Sequence, residues 1–247
     1  MTDQNTSRVA VITGASRGLG ETLARFLAGQ GYHLILNARG GAALDNVIRS
    51  LDGYDVEVKA VAGDVAEPST RRAIAQLART LGGVDLLINN ASILGASPLV
   101  PLANHPLDSL EKLFRVNVIA PLALIQELLP SLKAHSGLVV NISSDAAQGG
   151  YETWGGYGST KAALDLISKT LASELEPDGV SVVSVDPGEM RTALYQEADP
   201  SADISGLPTP DITLPFWAWL FGQEHAAING GRYQAQAEQW EAVNETR

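Results

Sequence analysis

Cysteine is absent from the 247-residue chain, which rules out a thiol nucleophile, disulfides and thiolate-bound metal. Histidine is scarce: His33, His105, His135 and His225 are scattered without metal-ligand spacing. They are expected at the surface or as caps, and no metal site is expected. Positive charge is also short, with 17 basic residues against 28 acidic for a net charge of -11. A chain of that sign repels nucleic-acid backbones and anionic lipid, so neither is expected as a partner. No unbroken apolar run reaches the roughly 18 residues that suggest a membrane span. Residues 1–7 are polar rather than signal-like. A soluble, cytoplasmic protein is the expectation.

What the chain does have is 45% hydrophobic residues, enough for one large core. Short apolar, β-branched runs alternate with segments of helical composition. Strands are predicted over 8–13, 32–37, 55–60, 84–88, 137–142 and 180–185. Helices are predicted over 21–28, 42–51, 67–81, 107–132 and 155–175. Continuously apolar strands separated by helices indicate a parallel sheet covered on both faces. The fold class is therefore α/β, a doubly wound, Rossmann-like sheet. No linker or repeat divides the chain, so 1–247 is read as a single domain, with polar tails over about 1–7 and 236–247.

Thr13-Gly14-Ala15-Ser16-Arg17-Gly18-Leu19-Gly20 lies between the first strand and the first helix. A glycine-rich turn there lets backbone N–H groups approach a phosphate at the helix N-terminus. Gly14 to Gly18 also spells G-x-S-x-G, the nucleophile elbow of α/β-hydrolases, with Ser16 as the nucleophile. That elbow needs several strands before it and a histidine singled out by context. Only one strand precedes it here, which leaves hydrolysis as the weaker alternative.

The end of the second strand bears on the choice of dinucleotide. An acidic residue there would accept from the ribose 2′-OH of NAD, whereas arginine accommodates the 2′-phosphate of NADP. The chain has Asn37-Ala38-Arg39, with no carboxylate, and Arg17 adds a second guanidinium from the glycine loop. Two such forks can clamp a phosphate, which favours NADP(H).

Tyr157 and Lys161 are four apart, on one face if both are helical. An ordinary exposed pair would look the same in isolation. An ammonium beside a phenol favours the phenolate, so Tyr157 is expected to titrate below its usual value of about 10 and to exchange protons near neutrality. Ser144 sits just past the fifth strand, and Asn89-Asn90-Ala91-Ser92 just past the fourth, where ligands meet an open sheet. The asparagines can equally cap or hold neighbouring loops. Pro121 cannot donate to the carbonyl of Asn117, so a kink is expected there, with a water linking Asn117 to Lys161. Asp186-Pro187-Gly188 closes the sixth strand, and 189–214 reads as a long irregular stretch, expected to be a substrate lid. Pro215–Phe221 is strongly aromatic and reads as core, subunit contact or pocket wall.

Taken together, the residues resemble the short-chain dehydrogenase/reductase family, in its main branch of about 250 residues. The glycine motif, Asp64, Asn89-Asn90-Ala91, Asn117, Ser144, Tyr157-x-x-x-Lys161 and Pro187-Gly188 match its signatures in order. The resemblance implies hydride exchange between NADP(H) and a carbonyl or secondary alcohol of a small molecule. It implies Tyr157 as acid and base, Ser144 orienting the oxygen, Lys161 lowering the tyrosine and holding the ribose, and Asn117 connecting Lys161 to solvent through water. It further implies cofactor contacts from Gly14, Ser16, Arg17, Gly18, Leu19, Gly20, Arg39, Asp64, Val65, Asn90, Ala91, Tyr157, Lys161, Pro187, Gly188, Met190 and Thr192. Ile93, Leu94, Ala146, Tyr151 and Trp154 then form the substrate wall, and the long helices pair into a homodimer or homotetramer. A non-catalytic NADP-binding sensor or scaffold is the alternative of another class. Two departures stand out: Ser92 replaces the family's glycine, and the C-terminus only loosely matches the closing strand.

Overall fold

The computed structural model describes residues 8–241. The apolar runs become strands β1 (Val9–Thr13), β2 (His33–Ala38), β3 (Val58–Ala62), β4 (Leu86–Asn89), β5 (Leu138–Ile142) and β6 (Ser181–Asp186). A short β7, Arg232–Gln234, completes a seven-stranded, all-parallel sheet in the order β3-β2-β1-β4-β5-β6-β7. The doubtful closing strand therefore forms, pairing with β6 and burying Tyr233. Strand β3 begins three residues later than expected.

Helices α1 (Gly18–Gly29), α2 (Gly41–Ser50), α3 (Pro68–Thr80), α4 (Leu107–Phe114), α5 (Ala120–Ala134) and α6 (Gly155–Leu175) connect the strands. Leu23 and Leu27 of α1 and Leu44 of α2 pack on one face of the sheet. Ile74 of α3 and Leu124, Leu128 and Leu132 of α5 cover the other. Strands β1, β2, β4, β5 and β6 thus meet apolar cover on both sides, the condition under which continuous apolar strands are stable.

The long helix expected over 107–132 is broken by a π turn at Arg115–Ile119, where the Ala120 N–H reaches back to the Arg115 carbonyl. Pro121, with no N–H, follows directly and cannot restore the ordinary ladder. By length and composition Leu107–Ala134 is apolar enough to cross a membrane, with a mean hydropathy of 1.4 over its best window. Half of that window is buried in the fold, so core packing accounts for its apolar character.

Residues 189–214 are more ordered than expected. Thr192 caps α7 (Ala193–Ala198), accepting a hydrogen bond from Tyr195 N at 3.2 Å, and Arg191 N donates to the Pro208 carbonyl at 2.8 Å. The aromatic stretch forms α8 (Leu214–Leu220), with Phe216, Trp217 and Leu220 fully buried, so it is core. A four-residue α9 (His225–Ile228) leads into β7. The expected C-terminal tail is packed at its start. Gln236 donates to the carbonyls of Pro187 (2.9 Å) and Glu189 (3.0 Å), and Trp240 meets Phe216 with ring centroids 5.8 Å apart. Residues 1–7 and the last six of that tail lie outside the described residues. His105 is buried beside Gly156 rather than at the surface.

Candidate active site

The chain order reverses between β1 and β4, and at their carboxyl ends opens a cleft of about 800 Å³. That is where an open α/β sheet takes a ligand. Its floor is made possible by glycine. Gly14 has φ of +66°, and a Cβ there would lie 2.8 Å from Asn90 Nδ2 and 2.9 Å from Ala91 Cα. A Cβ on Gly20 would collide with the Gly14 carbonyl oxygen and Asn90 Nδ2. Asn90 explains the tightness: Nδ2 donates to the carbonyls of Thr13 (2.9 Å) and Gly14 (3.2 Å), stitching β4 to the glycine loop. Thr13 Oγ1 accepts from the backbone N–H groups of Asn90 and Ala91, each at 3.0 Å. The backbone of the loop is thereby held open to the cleft, a cradle that fits a pyrophosphate.

Gly14, Ser16, Arg17, Gly18, Leu19, Arg39, Asp64, Val65, Asn90 and Ala91 line the nucleotide end of the cleft. Pro187, Gly188, Met190 and Thr192 line it from the β6 side. Gly20 does not line it; it lies beneath, where it allows the helix to approach the loop. Asn37 spends its amide on β3, donating to the carbonyls of Val61 (2.9 Å) and Gly63 (3.0 Å). Arg17 is held by Glu197 of α7 at 3.0 Å and Arg39 is exposed, and both guanidiniums line the same end of the cleft. Ser16 has no histidine beside it among the described hydrogen bonds, as an elbow serine would.

Tyr157 and Lys161 stand on the first two turns of α6, and both are buried. Lys161 Nζ donates to the Ile142 carbonyl at 2.7 Å and lies 5.4 Å from the Tyr157 ring centroid. The expected direction of the tyrosine shift is reversed here. Burial pushes the Tyr157 phenol above its ordinary value, and the Ser92 hydroxyl only partly offsets it. Burial also draws Lys161 down, to about 8. The Asp186 and Asp145 carboxylates add to the rise, so desolvation and negative charge together outweigh any pull from the ammonium.

Ser144 donates to Asp145 Oδ1 (3.0 Å) and accepts from Ala146 N (3.1 Å), capping a short turn beside the cleft. Asn117 lies behind the cleft rather than in its lining. It exchanges hydrogen bonds with the Ile93 backbone (3.0 and 2.9 Å) and donates to Thr160 Oγ1 (3.1 Å). Its side chain therefore anchors the loop after β4 to α6, next to Lys161. Ile93, Leu94, Ala146, Tyr151 and Trp154 line the substrate end, with Trp154 edge-on to Tyr157 at 5.8 Å.

A family model for short chain dehydrogenases matches residues 8–203. The chain belongs to that family. The L-xylo-3-hexulose reductase of Hypocrea jecorina is 35% identical, over 78% of this chain and 70% of its own. A short chain dehydrogenase from Escherichia coli, solved with NADPH, superposes with a TM-score of 0.84 at 28% identity, covering 96% of this chain and 100% of its own. Another from Shigella flexneri, solved with NADP, has a TM-score of 0.84 at 28% identity, covering 93% and 97%.

Several residues of this short-chain dehydrogenase's cleft escaped the sequence reading. Arg232 of β7 bonds Asp165 of α6 (2.9 Å), donates to the Ser144 carbonyl (2.8 Å) and faces Asp186 (3.8 Å). It ties β5, β6 and α6 together behind Ser144. Asp145, Glu152, Glu189 and Tyr195 line the substrate end, and Tyr195 donates to Glu189 at 2.8 Å. No spacing marks them, because they come from separate connections that meet only in the folded chain. Asp186 had a signal in Asp-Pro-Gly: its carboxylate accepts from Gly188 N at 3.0 Å and shapes that turn.

Proposed function

We propose that this oxidoreductase exchanges a hydride between NADP(H) and a carbonyl or secondary alcohol carbon of a small molecule. The observation that carries the reading is the convergence of a buried Tyr157, a buried Lys161 and Ser144 on the cleft that the glycine loop opens. Bound nicotinamide supplies the hydride chemistry; the chain's residues orient the oxygen and move the proton. The Tyr157 phenol, held protonated by burial, is the acid that a carbonyl oxygen needs in reduction. Ser144 orients that oxygen, Lys161 steadies the ribose side, and Asn117 fixes the loop and helix that aim them. The segment 189–214 covers the substrate as a lid.

NADP(H) preference is supported by Arg39 and Arg17 at the nucleotide end, by the lack of a carboxylate after β2, and by relatives solved with NADP and NADPH. Asp145, Glu152 and Glu189 at the substrate end oppose anionic substrates, while Trp154 and Tyr195 offer stacking faces 6.5 Å apart. An uncharged polyhydroxylated ketone suits that wall, in keeping with the name of the hexulose reductase relative. Ile119 and Leu166, 54% and 67% exposed on the long helices, support pairing of copies into a homodimer or homotetramer. A cytoplasmic location belongs to the same reading.

The test is a titration with NADPH and NADH, followed by carbonyl turnover in Tyr157→Phe. NADPH should bind at least about tenfold tighter, a difference that Arg39→Ser removes. Turnover should fall by about 10²- to 10⁴-fold with NADPH binding retained. Activity persisting in Tyr157→Phe would overturn the assignment of the acid, and preference for NADH the reading of Arg39.

A further inference from the structure

Ser92, the residue that stands where the family carries glycine, follows β4 and lines the same cleft as Tyr157, with its hydroxyl within reach of the phenol. Its hydroxyl oxygen is buried and, among the described residues, makes no hydrogen bond of acceptable distance and angle, although it lies close enough to the Tyr157 phenol to act on it. Buried hydroxyls in folded proteins are paired, so an unpaired one at a reactive centre asks for a partner. Lys161 Nζ directs one of its three N–H groups to the Ile142 carbonyl, and the Ser144 hydroxyl donates to Asp145.

We infer that Ser92 is a positioning residue for Tyr157, its hydroxyl donating to the phenol oxygen as that oxygen gives up its proton. The inference rests on the reading of Tyr157 as the acid. In the step, the Tyr157 O–H bond breaks and its proton forms an O–H bond with the substrate oxygen. Ser92 keeps its own proton and stabilises the negative charge left behind. Glycine offers no such donor, and alanine none either.

Three charged groups surround the phenol. Lys161 is on the same helix, below the ring; Asp186 ends β6, and Asp145 follows β5. Burial, Asp186 and Asp145 all hold the phenol protonated, and the Ser92 hydroxyl is the neighbour that opposes them. Removing it should therefore raise the pH at which Tyr157 ionises.

The test compares Ser92→Ala and Ser92→Thr with the unaltered chain, each carrying 3-fluorotyrosine, whose more acidic phenol brings ionisation within reach. Fluorine resonances of the six tyrosines are followed against pH, and Tyr157→Phe assigns the one concerned. In Ser92→Ala that resonance should titrate about one unit higher, a tenfold gain in proton affinity. The threonine variant, which keeps a hydroxyl, should titrate close to the unaltered chain. In carbonyl reduction the basic fall of the kcat/KM profile should move upward with it in Ser92→Ala. An unchanged titration and profile in Ser92→Ala would overturn the inference while a dead Tyr157→Phe left the acid in place. Full turnover in Tyr157→Phe would overturn the underlying reading itself.

Discussion

Gly14, Gly18 and Gly20 shape the nucleotide end of the cleft by what they lack, whereas Tyr151, Trp154, Glu189 and Tyr195 shape the substrate end by what they carry. At the first end the ligand surface is backbone, and its form depends on atoms approaching where no Cβ fits. At the second it is side chains on connections, held by contacts such as Tyr195 to Glu189 and Ser97 Oγ to the Glu197 carbonyl (2.7 Å). The difference teaches which half can vary. A backbone cradle admits few residues, while side chains on connecting segments can change without disturbing the sheet.

Lys161 stands where the two ends meet, and its burial gives the largest effect. Its ammonium titrates near 8 when folded and near 10.5 when unfolded. Between those values the unfolded chain holds the proton more tightly, so this lysine's penalty on stability is full below about pH 8 and fades as pH rises to 10.5. The stability difference between Lys161→Met and the unaltered chain should therefore change by roughly 3 kcal/mol across that window in favour of the unaltered chain. Urea midpoints at neutral and alkaline pH measure it. A difference independent of pH would mean that Lys161 stays solvated.

Gly20→Val addresses the nucleotide end alone. The added carbons would press on the Gly14 carbonyl and Asn90, for a cost of about 1–3 kcal/mol. NADPH binding should weaken severely because the loop must move. Unchanged NADPH affinity would break the contrast, since the cradle would then tolerate a side chain.

Glu197→Gln probes the link across the cleft mouth, where α7 holds Arg17 at 3.0 Å. Exposed pairs are worth below about 1 kcal/mol, so freeing Arg17 should tighten NADPH by less than about fivefold and leave NADH unaffected. Equal tightening of both would show that Glu197 acts on the lid rather than on the phosphate.

Most of the cleft lining at the nucleotide end was legible in the sequence, although Gly20 lies beneath the cleft and not in its lining. A strand, a glycine turn and a helix are local, and the glycines mark either a close approach, as at Gly14 and Gly20, or a positive φ, as at Gly18. Helix α6, Gly155–Leu175, was read to its ends, because the same local pattern of apolar faces sets its length. The substrate end was legible only in part. Ile93, Leu94, Ala146, Tyr151 and Trp154 came from the family resemblance, and Glu189 and Tyr195 only as members of the 189–214 segment; Asp145 and Glu152 were not picked out, and all of them line the cleft. The tyrosine shift was misjudged for a related reason: a four-residue spacing reports proximity on a helix, not how much water remains around either group.

By itself, then, the chain's pattern of apolar runs, glycines and turn residues determined the parallel sheet, its connections and the nucleotide cradle, since those rest on interactions between near neighbours. Tertiary structure alone decided that Arg232 braces Ser144, that Asn117 holds the Ile93 loop, that Ser92 meets the phenol, and that Tyr157 is held protonated. Each of these joins segments far apart in the chain, and the cost of desolvating a charge exists only once the surrounding segments have closed around it.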